Sequence, residues 1–109
     1  MFYHYRQNNS GGDFVVNDNV TYNVIIEANN AKQANAIAEA VGLYFHGFGD
    51  CPCCGNRWSE AWEDEEGDST PMIYDTPAQE FKETWAELGE PSVYIYYADD
   101  RKETYYKGH

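Results

Sequence analysis

Aromatic and polar residues alternate at the start of the chain, and this alternation predicts strands. Phe2 to Arg6 follows a two-residue period, the pattern of a strand whose two faces differ. Phe14 to Val16 and Val20 to Glu27 predict two further strands, separated by a turn at Asn17–Asn19, where Asn and Asp favour chain reversal. We therefore expect a three-stranded antiparallel meander in the first third of the chain.

A helical period follows the predicted meander. Asn29 or Asn30 suits the helix N-cap, and Gly42 suits its end. We expect a helix from about Ala31 to Val41 that packs on the sheet through one apolar stripe. The stripe residues are Ala34, Ile37, Ala38 and Val41.

The second half of the chain predicts another helix and a hairpin. Thr76, Pro77 and Gln79 match a helix start, with a capping threonine, a first-turn proline and a capping-box glutamine. An apolar stripe of Phe81, Trp85 and Leu88 continues this helix. Met72–Tyr74 predicts a short strand before it, and Val93 to Tyr97 with Thr104 to Lys107 predicts a hairpin.

These elements together predict one α+β domain that spans residues 1–109. Its sheet is mainly antiparallel and consists of the meander and the C-terminal hairpin. Two helices and a zinc knuckle complete the expected fold.

The knuckle is predicted from the segment that holds all three cysteines. In Cys51-Pro52-Cys53-Cys54-Gly55 a tight turn brings the sulfurs of Cys51 and Cys54 to one side, where both reach a tetrahedral ion. A structural zinc ion usually has four protein ligands, and Cys53 and His46 are the best candidates to complete the set. Asp50, His4 and His109 are further candidates.

Two other interpretations of the cysteines stay open. A redox pair normally lies at the start of a helix that lowers the thiol pKa, and Gly55-Asn56 argues against a helix here. Buried or free cysteines without a metal are the plainest alternative.

The charge of the chain restricts its partners. Nineteen acidic and seven basic residues give a formal net charge of −12, which disfavours nucleic acids and anionic membranes and favours a protein with a basic surface. Six of the nine residues from 60 to 68 are acidic. Trp58 and Trp62 are candidate anchors for a partner beside Glu63, Asp64, Glu65 and Glu66. The alternative is a solvated acidic loop whose tryptophans cover the metal site.

The loop after the first predicted strand is a candidate ligand site. The Arg6 guanidinium suits a phosphate or carboxylate, and the four residues that follow offer a row of donors and acceptors. A small nucleotide-like ligand fits this chemistry, while an ordinary hairpin connection explains the same composition. The four residues are Gln7, Asn8, Asn9 and Ser10.

No catalytic motif is recognisable in the sequence. The serine elbow, the zinc-protease helix and the phosphate loop are all missing, and so is the His-x-Glu motif of zinc deaminases. We therefore expect a non-enzymatic protein, although a zinc ion held by only three protein groups would leave room for a catalytic water. An odd cysteine count and the lack of a membrane-length apolar run favour a reducing cytosol.

Two segments resemble a known group of proteins. Tyr5–Gly12 (YRQNNSGG) and Asp50–Trp58 (DCPCCGNRW) are similar to motifs of a family of small, functionally uncharacterised proteins of tailed bacteriophages. The likeness covers roughly the first sixty residues. It implies a phage-encoded protein in the bacterial host cytoplasm, and by analogy an inhibitor of a host or anti-phage defence protein. It transfers no catalytic residue.

Overall fold

A four-stranded sheet is the centre of the computed structural model, which describes residues 1–7, 16–43, 58, 61–62, 64, 66–81 and 89–106. The strands are β1 (Phe2–Arg6), β2 (Asn23–Glu27), β5 (Pro91–Tyr96) and β6 (Lys102–Tyr106), and they lie in the order β1-β2-β5-β6. A second, two-stranded sheet pairs β3 (Met72–Ile73) with β4 (Thr76–Pro77). One α-helix, α1 (Ala31–Val41), and one 3₁₀ turn (Ala78–Glu80) complete the described elements.

The main sheet is mixed. β1 and β2 are antiparallel, with Tyr3 opposite Ile26, and β5 and β6 are antiparallel as well, with Tyr94 opposite Thr104. The central pair, β2 and β5, is parallel. Parallel neighbours need a crossover connection, and the chain between Glu27 and Pro91 supplies it.

The helix forms where its spacing and caps predict it. The Asn30 side chain accepts a hydrogen bond from the Gln33 amide at 2.8 Å, which satisfies one of the unpaired donors of the first turn. Gly42 ends the helix at a φ of +120°, a conformation that L side chains rarely adopt. The predicted helix is therefore confirmed, with both of its caps.

Each face of the sheet carries its own core. On the helix side, Tyr3 and Tyr5 pack with Val24, Ile26 and the α1 alanines. On the opposite side, Ile25, Val93 and Ile95 pack with Ile73 and Ala78, which the short sheet and the 3₁₀ turn supply. Strand β2 is buried on both faces because it lies inside the sheet between two layers.

The predicted fold class is wrong in its second helix. Thr76–Pro77 forms β4, Ala78–Glu80 forms a single 3₁₀ turn, and Phe81 is extended with a ψ of 131°. Local capping signals are weak compared with burial, and here Ile73 and Ala78 are buried against the sheet by the β3–β4 turn. The described residues therefore contain one α-helix; residues 82–88 lie outside them.

The predicted meander is wrong as well. Val16 does not belong to a strand, Phe14 and Val15 lie outside the described residues, and the second neighbour of β2 is β5. The C-terminal hairpin and the short strand Met72–Ile73 are confirmed. The main sheet has two antiparallel pairs, as predicted, but its central β2–β5 pair is parallel, so the sheet is mixed.

The zinc knuckle is also not supported as an element of the fold. Its four expected ligands, Cys51, Cys53, Cys54 and His46, lie outside the described residues. Within the described part of the chain, no group of three or more potential metal ligands occurs. Bound zinc stays a prediction from the sequence alone.

Candidate functional site

The two tryptophans proposed as partner anchors have opposite environments. The Trp58 side chain is 1 % exposed and belongs to the core on the helix side of the sheet. Trp62 is 77 % exposed, more than the other large apolar residues that the structure describes as exposed. Trp58 is therefore a core residue in this fold, and Trp62 is the one of the two that a partner can reach.

The backbone immediately before Trp62 is fixed to helix α1. The Asn35 side chain donates to the Ala61 carbonyl at 3.0 Å and accepts from the Ala61 amide at 2.8 Å, and we call this pair of bonds the Asn35–Ala61 bridge. The Tyr5 hydroxyl also donates to Asn35 Oδ1, at 2.7 Å, and thereby orients the amide group. Trp62 thus projects from an anchored main chain.

Acidic side chains follow Trp62 in the chain. Asp64 and Glu66 are both exposed, whereas Glu63 and Glu65 lie outside the described residues. An exposed indole beside exposed carboxylates combines an apolar anchor with negative charge. This combination suits the basic surface of a protein partner.

The candidate ligand loop is only partly described. Gln7 is buried, and its side chain donates to the Thr21 carbonyl at 3.1 Å, a bond that joins the residue after β1 to the segment before β2. Arg6 is half-buried and donates to Asn23 Oδ1 at 3.3 Å. The Gln7 side chain therefore binds the protein's own main chain, which does not favour a role in ligand binding. Asn8, Asn9 and Ser10 lie outside the described residues.

Arg6 belongs to a polar cluster on the sheet face opposite α1. His4 Nε2 lies 2.8 Å from Asn23 Oδ1, the same oxygen that accepts from Arg6. The exposed Tyr74 ring packs edge-to-face on His4 with ring centroids 5.3 Å apart. Tyr74 has a φ of +54°, which is unusual for a bulky residue and reflects the tight β3–β4 turn.

Burial sets the ionisation of this cluster. It lowers the pKa of His4 below its ordinary value of 6.5, and the Arg6 charge acts in the same direction, while the bond to Asn23 and the charge of Asp68 oppose the shift. Burial also lowers the pKa of Arg6. His4 is therefore neutral at pH 7 and binds Asn23 as an uncharged ring.

Acid should weaken the fold through His4. The unfolded chain binds a proton as the pH falls through about 6.5, while the folded chain resists protonation because its His4 pKa is lower. The free energy of unfolding should therefore fall from about pH 7 to about pH 5. In urea titrations His4→Gln, which does not titrate, should show a smaller fall than the parent. Equal falls in both proteins would contradict this role of His4.

Two residues central to these sites were not singled out from the sequence. Asn35 lies in α1 directly after the buried Ala34, and Asn23 stands in an apolar strand. In the sequence, each asparagine is noticeable as a polar residue within an apolar pattern. The sequence did not predict what either side-chain amide binds, because the partners lie far away in the chain.

Comparisons with known proteins identify a family without adding an activity. A family model described as "Domain of unknown function (DUF7296)" matches residues 1–109. Neither the curated proteins nor the solved structures contain a match. Within the described residues, α1 is too short and too polar to cross a bilayer, and no other α-helix occurs there.

Proposed function

We propose that the protein is a non-enzymatic binder of a basic protein surface. The chain belongs to this family of unknown function, and the family assigns it no activity. Trp62 is the apolar anchor of the interaction, and the acidic residues around it supply the charge complementarity. By covering a surface that normally receives a nucleic acid or another acidic partner, the protein inhibits its target.

The presentation of Trp62 carries this proposal. A single exposed apolar residue is ordinary, but Trp62 combines 77 % exposure with a backbone held by the Asn35–Ala61 bridge. Binding through a pre-positioned side chain loses less conformational entropy than binding through a free loop. Tryptophan is also among the residues that contribute most to binding when they enter a partner's pocket.

Charge indicates the kind of partner. The net charge of −12 gives the molecule a negative field that attracts cationic surfaces and speeds encounter with them. Asp64 and Glu66 bring carboxylates close to the anchor in the sequence. The resemblance to tailed-phage proteins suggests a bacterial host protein, including one of anti-phage defence, as the target, and the host cytoplasm as the location.

Sequestration of a small nucleotide-like ligand is the alternative function. Arg6 and the exposed Tyr74 ring offer a cation and a stacking surface on the same face of the sheet. This alternative has weaker support, because Gln7 is buried in a bond to Thr21 and the Arg6 guanidinium already binds Asn23. A purely structural zinc-binding accessory role is the second alternative, and it would involve neither surface.

Replacing Trp62 by alanine should strongly reduce partner capture without unfolding the protein. The tagged protein should retain a basic host protein from a bacterial lysate at low salt, and the loss of a central tryptophan should weaken binding by about 2 kcal/mol or more, roughly 30-fold. Capture is measured by quantitative mass spectrometry, and the affinity of the purified target by calorimetry.

Tyr106→Ala is the matched control, since Tyr106 is an exposed aromatic residue on strand β6. Asn35→Ala should give an intermediate loss, because it removes the bridge and keeps the indole. Raising the salt to about 0.5 M should weaken capture of the same target. If Trp62→Ala and Tyr106→Ala retain the target equally well, the proposed anchor is wrong.

A further inference from the structure

A cleft on the sheet face opposite α1 contains a carboxylate that forms no ion pair with the described residues. It lies between the 3₁₀ turn, with the residues before it, and the β5–β6 hairpin, and has a volume of about 410 Å³. Its lining combines apolar walls with tyrosines and one acid. The lining residues are Thr70, Pro71, Pro77, Ala78, Gln79, Tyr97, Glu103 and Tyr105.

Two tyrosines hold the carboxylate in place. The Tyr97 hydroxyl donates to Glu103 Oε1 and the Tyr105 hydroxyl donates to Glu103 Oε2, both at 2.9 Å. The pKa of Tyr97 is raised to about 12, first by burial and then by the hydrogen bond to Glu103 and the Glu103 charge. Tyr97 therefore keeps its proton at neutral pH and continues to donate.

The nearby cations bind other groups. The Arg101 Nε donates to both carboxylate oxygens of Asp99, at 2.8 and 3.0 Å. The Lys102 ammonium binds the Asp18 carbonyl and lies 4.0 Å from the centroid of the Tyr94 ring. In the part of the chain that the structure describes, the side-chain groups bonded to the Glu103 carboxylate are the two tyrosine hydroxyls, and neither neutralises its charge.

We propose that this cleft binds an alkylammonium group, through an ion pair with Glu103 and contacts of the alkyl chain with the proline and tyrosine walls. Each oxygen of the Glu103 carboxylate accepts one hydrogen bond from a tyrosine hydroxyl and still has a lone pair for an ammonium donor. Aromatic rings attract cations, and the Tyr105 ring of the lining is available for this contact, whereas the Tyr97 ring already has the Arg101 guanidinium 4.6 Å from its centroid. Pro71, Pro77 and Ala78 provide apolar contact for methylene groups.

This inference does not depend on the protein-binding proposal. Neither Trp62 nor its acidic neighbours Asp64 and Glu66 belong to the lining of the cleft. The alkylammonium group has two natural sources, a lysine side chain of a protein and a free linear polyamine. Both present the same charged group on the same kind of stem.

Titrations of the full chain followed by amide NMR test the cleft. The probes are N-acetyl-lysine methylamide, spermidine and the uncharged N-acetyl-norleucine methylamide. We expect saturable shifts at the amides of residues 97, 103 and 105 with both cationic probes, at a Kd in the millimolar range, and none with the norleucine amide. Tighter binding of the lysine amide indicates a protein side chain as the source; tighter binding of spermidine indicates a free polyamine.

Variants distinguish binding in the cleft from general attraction by the negative charge of the protein. Glu103→Gln keeps the shape of the side chain and should weaken both cationic probes at least about tenfold, whereas Tyr105→Phe should weaken them about threefold. Glu66→Gln removes one exposed charge elsewhere and should change affinity less than about twofold; Trp62→Ala should not change it. Any of three results would overturn the proposal. They are equal losses of affinity in Glu103→Gln and Glu66→Gln, saturable binding of the norleucine amide, and no saturation with either cationic probe.

Discussion

Replacing Trp58 by alanine is expected to lower the free energy of unfolding by about 3–5 kcal/mol, because it opens a large cavity in a closed core. The side chain is 1 % exposed and packs in the same cluster as Tyr3, Tyr5 and Val24. Urea titrations followed by far-ultraviolet circular dichroism measure this loss. Such a loss is a large part of the total stability of a small domain.

Trp62→Ala is the matched control for this experiment, since the same residue type is removed from a position that is 77 % exposed. Its free energy of unfolding should stay within about 0.5 kcal/mol of the parent. The two tryptophans thus separate stability from binding: Trp58→Ala lowers the stability of the fold, and Trp62→Ala removes the proposed anchor. Similar unfolding midpoints for both variants would show that Trp58 does not support the core.

Replacing Asn23 by alanine should lower the free energy of unfolding by about 2–4 kcal/mol, since it leaves buried and partly buried partners without these hydrogen bonds. Asn23 is fully buried in β2. Its amide donates to the Ser92 carbonyl at 3.1 Å, and its oxygen lies within hydrogen-bonding distance of His4 and Arg6. The half-buried charge of Arg6 makes the loss costly.

The control for Asn23 is Asn29→Ala, which truncates an exposed asparagine next to the helix cap. It should change the free energy of unfolding by less than about 0.5 kcal/mol. Asn23→Ala should also lower the His4 pKa further, because the bond to Asn23 opposes the lowering caused by burial. A histidine titration by NMR checks this direction. An Asn23→Ala protein as stable as Asn29→Ala would contradict the role of the buried amide.

The sequence predicts those elements whose signals are local. Helix α1 formed as expected because its stripe and both caps lie within thirteen residues, Asn30 to Gly42. The β5–β6 hairpin formed because its strands flank a short polar turn. The parallel pairing of β2 with β5 has no local signal, since it joins positions such as Ile25 and Ile95.

The local signal at Thr76 was misleading for a related reason. Thr76, Pro77 and Gln79 match a helix start, but the fold uses this segment to close a small sheet over Ile25 and Ile95. For the same reason the sequence did not distinguish Trp58 from Trp62. Both stand in a polar, acidic stretch, and contacts with distant residues bury one and expose the other.

The parallel pair at the centre of the sheet has a consequence for the rate of folding. Strand β2 cannot complete its pairing until β5 arrives, and residues 28–90 lie between the two strands. Closing so long a loop costs entropy before β2 and β5 make any contact, and folding is therefore slow. During synthesis the sheet cannot be completed until most of the chain has been made. Until then the backbone of Val24, Ile25 and Ile26 has an unpaired edge on the side that β5 occupies in the finished sheet. The nascent chain should therefore be most prone to aggregation before β5 is made, and it is then that chaperones should bind it.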